Sequence, residues 1–483
     1  MMTTASVSTR RAPRDLLFAA AGVLLLVAYT IIVIRGFGAS FWEDEALNLS
    51  VARNLAHGLG YASDGMLGTG ELSHFDVRIS TGPLVLVPAA GLIALGVDLV
   101  IAGRVVALLF FAILLAGLWA AGRTVAGRWA GLVAASLPLI LDMTMRPSPI
   151  QAPTDVLGEI PTAAMLVWAL VFIVRRPWLA GLFVGLASTA KVIAFLAAPA
   201  ICLAILFGVV GPWRRRLLHG VVAGVCVLVP FGLYQVSIML SLGFMGWRRN
   251  FWEFRQFLFD GGQIGREVGA VEKAQSLLQI WHLPPVVAVA GLLLAAALAV
   301  LGVIRLVRLR DDPAARTALV VLAAAAAALL LFLAWWIRAA NLPAWPRHPS
   351  PALYAFAPVL LSAAVLGVAE VRERVGRVAA VVAGVLVGAV AVTAAVVAAV
   401  IPAPTQHEMT LAEQREIAGE LAELDLPKIA TNWGGEVPLI VLSGAAPAVP
   451  YLSTDAPGFY LGPPPEGCDQ IAAVGPRTVC DPE

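Results

Sequence analysis

The sequence is poor in charge: Asp, Glu, Lys and Arg make up only 13% of its 483 residues, whereas 60% are hydrophobic. A soluble domain keeps about a quarter of its residues charged, because its surface must stay hydrated. The shortage of charge therefore excludes an ordinary soluble protein and indicates that lipid is the main solvent. The formal net charge of +2 also gives no basic surface for a nucleic acid, and we expect none as a partner.

Strand-like alternation is missing as well, and long apolar runs take its place. A helix needs about 20 apolar residues, with a range of about 17–25, to cross a bilayer. Barrel strands would alternate every second residue, so the sequence predicts an all-α polytopic membrane protein. The first run is long for a signal peptide and has no small-x-small cleavage site, so we expect a retained anchor. The runs include residues 16–34, 105–121, 217–240, 286–307, 319–336 and 378–400.

Basic residues cluster between the apolar runs. Short cytoplasmic loops are rich in Arg and Lys, so we predict that every cluster faces the cytoplasm, with an even number of spans between neighbours. This gives about eleven transmembrane helices, with a cytoplasmic N-terminus at 1–14, a transmembrane domain at 15–401 and an extracytoplasmic tail at 402–483. The clusters are Arg10, Arg11 and Arg14; Arg123 and Arg128; Arg175 and Arg176; Arg214 to Arg216; Arg305, Arg308, Arg310 and Arg316; and Arg372, Arg374 and Arg377.

One apolar stretch, residues 83–97, must not cross the bilayer if this count is to hold. It has only 15 residues and begins with Pro83, so it is too short for a comfortable span. We predict that it lies in the outer interface or re-enters it from outside.

Three polar regions outside the membrane are large enough to hold a function. The first is a large extracytoplasmic loop at 36–101, and the second is a loop at 241–282 whose aromatic and basic residues predict an amphipathic interfacial helix. The third is the tail at 402–483, which we predict to be a small α/β unit. Its expected elements are a helix at 411–424 and a strand at 438–442.

Cysteine is scarce, with four residues in the chain, and no Cys–His spacing suggests a zinc site. Cys202 and Cys226 fall in apolar spans, where buried thiols are the expected state. Cys468 and Cys480 lie in the tail, which the predicted topology places in an oxidising compartment. We therefore predict a disulfide between these two residues.

The strongest local signal follows the first apolar run, where Trp42 precedes three adjacent carboxylates, Glu43, Asp44 and Glu45. Such a group supplies a general base or ligates a divalent cation. A solvated acidic cap on the following helix, favoured by the helix dipole, explains the same pattern. The residues alone leave both interpretations open.

The segment that begins at Asp44 resembles the first extracytoplasmic loop of the GT-C glycosyltransferases. These polytopic enzymes transfer a sugar from a polyprenyl-phosphate donor, and they include protein O-mannosyltransferases and the aminoarabinose transferases of lipid A. The resemblance implies a GT-C fold with interfacial helices in the first loop, and it implies that Asp44 and Glu45 are catalytic. The matching positions are Asp44, Glu45, Ala52, Arg53, Gly60, Pro83, Gly96 and Arg104.

A weaker resemblance continues downstream and implies further roles. Displacing polyprenyl phosphate from a sugar needs a base for the acceptor's proton and cations for the leaving phosphate. The resemblance gives the first role to Asp44 and the second to Lys191, Arg347 and Arg104, with His348 as a hydrogen-bonding neighbour. Lys191 is one of only three lysines in the chain. The structural alternative for Lys191 is a side chain that snorkels to the interface from a helix end. The structural alternative for Arg104 is an anchor at the membrane interface.

The second acidic position of the family is open in this chain, because no carboxylate stands directly before the proline of the juxtamembrane helix. Asp76, Asp155 and Glu159 compete for that position. If a divalent metal is used, Asp44 and Glu43 are its expected ligands. The resemblance does not require one, because several branches of the family work without a metal.

These observations favour a sugar transferase in the inner membrane of a bacterium, acting on its extracytoplasmic side. The acceptor is left open among protein, glycan and lipid. A transporter or flippase is the main alternative, and a membrane scaffold is a third. The transferase hypothesis requires Asp44, Lys191 and Arg347 to face one cavity that opens outward.

Overall fold

Helices dominate the architecture, and a small sheet lies near the C-terminus. The computed structural model describes residues 12–65, 70–142, 149–260, 268–281, 283–339, 344–400, 409–449, 459–462 and 468–482. In chain order the helices are α1 (Ala12–Gly38), α2 (Glu43–Ala56), α3 (Pro83–Ala94), α4 (Leu99–Ser136), α5 (Glu159–Phe172), α6 (Pro177–Ala190), α7 (Ala198–Gly208), α8 (Trp213–Asp260), α9 (Ala270–Ser276), α10 (Pro285–Arg308), α11 (Pro313–Arg338), α12 (Ser350–Ala355), α13 (Ala357–Ser362), α14 (Ala364–Arg374), α15 (Arg377–Val400), α16 (Leu411–Ala422) and α17 (Glu436–Ser443).

The chain is a multi-pass membrane protein, as its apolar runs predict. Within the described ranges, six helical stretches have the length and apolar composition to cross a bilayer, and shorter apolar helices lie between them. The predicted total of eleven spans, and the side that each end faces, stay predictions. The six stretches are Asp15–Gly38, Leu99–Ile140, Trp213–Leu258, Pro285–Arg308, Pro313–Arg338 and Ser350–Arg374.

Helix α4 folds back on itself between two basic residues. Its backbone breaks at Ala126 and at Gly127, whose φ of +77° is left-handed and therefore suits glycine. The two halves then pack so closely that a Cβ on Gly122 would lie 2.6 Å from the carbonyl oxygen of Ala130. The turn lies between Arg123 and Arg128, where the sequence places one of its basic clusters.

The first loop contains two helices, and its second helix is short. The predicted helix after the acidic cluster is confirmed as α2, whose residues are largely buried. Helix α3 has 12 residues and a length of about 18 Å, which is less than the hydrocarbon thickness. Its start is tied to the end of α6, because Gly82 N donates to Ala190 O at 2.9 Å. A two-stranded ribbon joins the two helices, formed by β1 (Ala62–Ser63) and β2 (Ser73–His74).

The tail is a small α/β unit, as predicted. Its first helix, α16, begins at the expected residue with a capping box between Thr410 and Glu413. The sheet has the order β4-β3-β5-β7-β6, with β4, β3 and β5 parallel and the last two pairings antiparallel. Its strands are β3 (Lys428–Ala430), β4 (Ala446–Ala448), β5 (Tyr460–Gly462), β6 (Cys468–Val474) and β7 (Arg477–Pro482).

The predicted strand at 438–442 is wrong, because these residues belong to helix α17. Periodicity cannot distinguish a short apolar strand from a helix that is buried on two sides. Helix α17 is such a helix: Val437 and Val441 join the main apolar core, whereas Leu439 and Ile440 join the core of the tail.

The tail docks on the first loop through polar contacts as well. The buried carboxamide of Gln414 accepts from Phe41 N at 2.7 Å and donates to Phe41 O at 2.8 Å. Arg53 Nη1 donates to Val441 O at 2.9 Å, at the end of α17. The main chain just before the acidic cluster is therefore fixed directly to the tail.

The cysteines agree in part with expectation. Cys202 and Cys226 are free thiols, but each is only partly buried, contrary to the expected full burial. Cys480 is disulfide-bonded. The side chain of Cys468 lies outside the described residues, so its pairing with Cys480 stays a prediction. The aromatic and basic residues that begin the second loop form the last part of α8, beyond a turn at Gly243, and their interfacial position also stays a prediction.

Candidate active site

A cavity of about 510 Å³ joins the first loop to the ends of α6 and α11 and to residues 231–258 of α8. Asp44 enters it from the first turn of α2, Lys191 from the end of α6, and Arg347 from the turn before α12. The three residues that the transferase hypothesis requires in one cavity are therefore together. Its other polar lining includes Asn48, Asp76, Arg78, Ser188, Thr189, Tyr234, Gln235, Asn250 and His348.

Asp44 and Arg347 form an ion pair at the cavity wall. Arg347 Nη1 lies 2.5 Å from Asp44 Oδ2, and both side chains keep some exposure, at 18% and 24%. The guanidinium also lies near the rings of Trp42 and Trp345, at 5.4 and 5.3 Å from their centroids. Such cation–π contacts fix a planar guanidinium more firmly than a lysine ammonium. Arg347 is thus held in place before any ligand binds.

Glu159 binds both cations from behind the cavity. Its side chain is fully buried, and one of its oxygens forms an ion pair with Lys191 Nζ and lies 3.9 Å from Arg347 Nε. It stands in the first turn of α5, where the helix dipole favours a carboxylate. Gly158 makes this approach feasible, because a Cβ there would lie 2.6 Å from Ala190 O.

The electrostatic environment sets the charge states of two neighbours. Burial alone would lower the pKa of Arg347, but the carboxylates of Asp44 and Glu159 raise it above its ordinary value. Burial, followed by the positive charges of Lys191 and Arg347, lowers the pKa of His348 well below its ordinary value. His348 is therefore neutral at neutral pH. Its Nε2 has no hydrogen-bond partner among the described residues.

Glu45 and Arg104 lie behind the cavity and do not line it. Glu45 Oε1 accepts from Val156 N at 3.1 Å, and Glu45 Oε2 lies 3.6 Å from Arg104 Nη2. Arg104 also donates to Phe37 O at 2.7 Å and to Ser40 O at 3.1 Å. These contacts occupy Arg104 in fixing the entry to α2, so the geometry favours a structural role over phosphate binding. Glu43 and Glu45 likewise have no place on the cavity wall.

The three candidates for the second acidic position differ in where they lie. Asp76 lines the cavity, but Arg78 donates to both of its oxygens, at 2.9 and 3.1 Å. Asp155 is buried and accepts from Ala152 N at 2.6 Å. Glu159 forms ion pairs with both cavity cations, and its side chain is fully buried.

Comparison with known proteins points to one fold. No family model and no curated protein matches the sequence. The solved structure of ArnT from Cupriavidus metallidurans in the apo state superposes with a TM-score of 0.57 at 14% identity, covering 98% of this chain and 99% of that one. The chain has the GT-C fold.

Other solved structures share this GT-C fold. ArnT from the same organism bound to undecaprenyl phosphate gives a TM-score of 0.53 at 14% identity, covering 98% of both chains. The oligosaccharyltransferase of Archaeoglobus fulgidus in the apo form gives 0.54 at 13% identity, covering 90% of this chain. The chain spans 65% of the length of that archaeal protein. At these identities the likeness establishes the fold alone.

The GT-C fold of this chain offers no obvious metal centre within the described ranges, where no three His, Cys, Asp or Glu side chains gather as ligands. Asp44, the expected ligand, is paired with Arg347. A divalent metal at Asp44 and Glu43 stays a prediction.

Several residues of the GT-C cavity escaped the sequence analysis. Trp345 lines the cavity beside Arg347, and its position two residues before that arginine was the available signal. Asn48 and Trp433 line the cavity from helix α2 and from the tail. Trp433 carries no local motif, because only the docking of the tail brings it to the cavity.

Proposed function

We propose that the chain is a membrane glycosyltransferase that moves a sugar from a polyprenyl-phosphate donor to an acceptor, with Asp44 as general base. One observation carries this proposal: Asp44 shares a single cavity with two cations, Lys191 and Arg347, that a buried glutamate holds together. A base and an anion site in one cavity are what displacement of a phosphate from a sugar requires.

The reaction uses these groups in one displacement. The acceptor hydroxyl attacks the anomeric carbon of the donor, and its proton passes to Asp44. The bond between that carbon and the phosphate oxygen breaks, and the phosphate leaves with an additional negative charge. Lys191 and Arg347 stabilise this charge in a site from which much of the water is excluded, where preorganised cations are most effective.

Glu159 acts as a positioning residue in this scheme. It is fully buried and does not line the cavity, so it holds the two cations without contacting the substrate. The donor phosphate then competes with Asp44 for Arg347, and its binding leaves the Asp44 carboxylate more available to the acceptor's proton. His348 is neutral, and its Nε2, which has no partner in the described part of the chain, donates or accepts one hydrogen bond at the same site.

The chemistry of the structural neighbours supports a lipid-linked donor. One solved structure holds ArnT bound to undecaprenyl phosphate, and another holds the archaeal oligosaccharyltransferase AglB with an inhibitory peptide and a dolichol-phosphate. We place the reaction on the extracytoplasmic side of a bacterial inner membrane, following the sidedness that the basic clusters predict.

Sugar transfer from radiolabelled polyprenyl-phosphate donors by the purified protein tests the proposal. We expect Asp44→Asn to reduce transfer about 10²–10⁴-fold, the range of general-base contributions. Asp311→Asn, a change in the exposed turn after α10, is the matched control and keeps full activity. Undiminished transfer by Asp44→Asn removes this residue from the mechanism. Movement of the donor across a vesicle membrane without any transfer favours the flippase alternative.

A further inference from the structure

The sheet of the tail has an edge at which open α/β sheets bind ligands. Strands β3, β4 and β5 follow one another along the chain, yet β4 and β5 lie on opposite sides of β3. The order therefore reverses at β3, and the three parallel strands end at the same edge. In open α/β sheets, ligands bind outside the carboxyl ends of the strands at such a point of reversal.

One residue at this edge, Trp433, lines the proposed active site. Trp433 stands three residues after β3, and it lines the same cavity as Asp44. Its side chain is large and apolar, yet 40% of it is exposed. The described residues show no ring or cation contact for its indole, whereas Trp345 across the cavity contacts Arg347 and His348. Among the described residues, nothing stacks on the exposed indole of Trp433.

The loop that carries Trp433 is held on both sides. Thr431 N donates to Ala448 O at 2.9 Å, and Thr431 Oγ1 donates to Leu461 O at 2.8 Å, which ties the loop to β4 and to the strand β5. Asn432 Nδ2 donates to the hydroxyl oxygen of Tyr460 at 3.2 Å. A loop fixed in this way loses little conformational entropy when a ligand binds.

The position of this loop relative to the base is fixed as well. Gln414 of the tail holds the backbone of Phe41 with two hydrogen bonds, and Phe41 is three residues before Asp44. The tail that carries Trp433 is therefore hydrogen-bonded to the segment that carries Asp44, and both side chains line one cavity.

We propose that Trp433 is the platform on which a sugar ring of the acceptor stacks, and that the carboxyl edge of β3 and β5 is the acceptor side of the cavity. One face of a pyranose presents C–H groups and its rim presents hydroxyls, so it matches an indole that faces a polar cavity. The acceptor is thus a carbohydrate, either a glycan or the headgroup of a glycolipid. This inference rests on the proposed transferase function.

Binding of simple glycosides to the full-length protein in nanodiscs tests the inference. The probes are the methyl glycosides of glucose, mannose and N-acetylglucosamine, with an acetylated serine tripeptide amide as the comparison, each titrated by saturation-transfer NMR. We expect at least one glycoside to bind, and we expect Trp433→Ala to raise its Kd about tenfold or more, a usual cost of losing an aromatic stack. Trp433→Phe keeps the aromatic face and should stay within about threefold of wild type.

Matched controls separate this inference from the proposed function. Trp213→Ala removes an exposed tryptophan far from the cavity lining and should leave glycoside binding unchanged. Binding of undecaprenyl phosphate to wild type and to Arg347→Gln reports on the donor side. In one outcome, undecaprenyl phosphate binds to wild type and Arg347→Gln weakens that binding, so the transferase stands. If glycosides then bind to Trp433→Ala as tightly as to wild type, or if only the peptide binds, the carbohydrate platform is wrong. If the lipid does not bind wild type, the proposed function itself fails.

Discussion

Two buried glutamates collect cations at opposite ends of the helical run Ser350–Arg374. At one end Glu159 holds Lys191 and Arg347. At the other end Glu370, whose side chain is 4% exposed, pairs with three arginines at 2.5–3.4 Å. These arginines are Arg305, Arg308 and Arg374. The two clusters have the same chemistry, one carboxylate among several cations.

Their surroundings differ, and that difference separates a candidate site from a structural network. The cations at Glu159 line a cavity and face a second carboxylate, Asp44. The arginines at Glu370 are 25–52% exposed and are not part of that cavity. A buried carboxylate among cations is therefore no sign of function by itself. The cavity and the additional carboxylate are what allow chemistry at the first cluster.

The largest expected effect of this comparison is on sugar transfer. It comes from removing the charge of Glu159, and the same change at Glu370 serves as the comparison. We expect Glu159→Gln to lower sugar transfer about 100-fold or more, because Lys191 and Arg347 lose the carboxylate that positions them for the phosphate. Glu370→Gln should keep transfer within about twofold of wild type. It should instead lower stability by about 1–3 kcal/mol, less than for a fully buried pair because its arginines reach solvent.

Transfer assays and thermal unfolding of both variants measure the two effects. Glu159→Asp retains the charge and should recover part of the activity, which a mere folding defect would not predict. Equal losses of transfer in Glu159→Gln and Glu370→Gln would contradict the distinction between the clusters.

Much of the candidate site was predictable because its residue types stand out locally in the sequence. Asp44 belongs to a run of three carboxylates, Lys191 is a rare lysine in an apolar setting, and Arg347 opens a late helix. Each stands out against an apolar, arginine-rich background. The predicted sidedness puts the three residues on one side of the membrane, which a shared cavity requires, but the cavity itself comes from tertiary packing.

The rest depends on tertiary contacts that leave no local mark. The structural roles of Glu45 and Arg104 follow from their burial against each other. In the sequence, Glu45 resembles a catalytic residue because it stands next to Asp44. The sequence left Glu159 as one of three acidic candidates. Its approach to Lys191 depends on the close packing at Gly158, which no local pattern reveals. The helix at 436–443 was predicted as a strand, since its environment, and not its pattern, decides the structure.

The pH dependence of stability gives a second, smaller test of the comparison. His348 stands beside Arg347 at the Glu159 cluster. Its pKa is lowered in the folded state by burial and by the charges of Lys191, Arg347 and Lys273. The unfolded chain binds a proton near pH 6.5, and the folded chain does not. The contribution of His348 to stability is therefore fully present well above that pH and falls below it, by about 1.4 kcal/mol between pH 7.5 and 5.5.

Unfolding of wild type and His348→Asn at these two pH values checks this expectation. The variant should lose about 1 kcal/mol less than wild type over the interval. Glu370→Gln should keep the wild-type dependence, because no histidine is among the partners of Glu370 in the described structure. An unchanged dependence in His348→Asn would mean that the imidazole is protonated in the folded protein.

The smallest effect is expected from a single arginine of the structural cluster. Arg374 lies 2.5 Å from Glu370 in an i,i+4 pair, but 49% of its side chain is exposed. Two other arginines also contact Glu370, so Arg374→Gln should lower stability by no more than about 0.5 kcal/mol and should leave transfer intact. Lys191→Gln is the corresponding change at Glu159, where the other contacting cation, Arg347, is already paired with Asp44. It should reduce transfer about tenfold or more. If Arg374→Gln instead reduced transfer as much as Lys191→Gln, both clusters would serve catalysis and the cavity would not be what separates them.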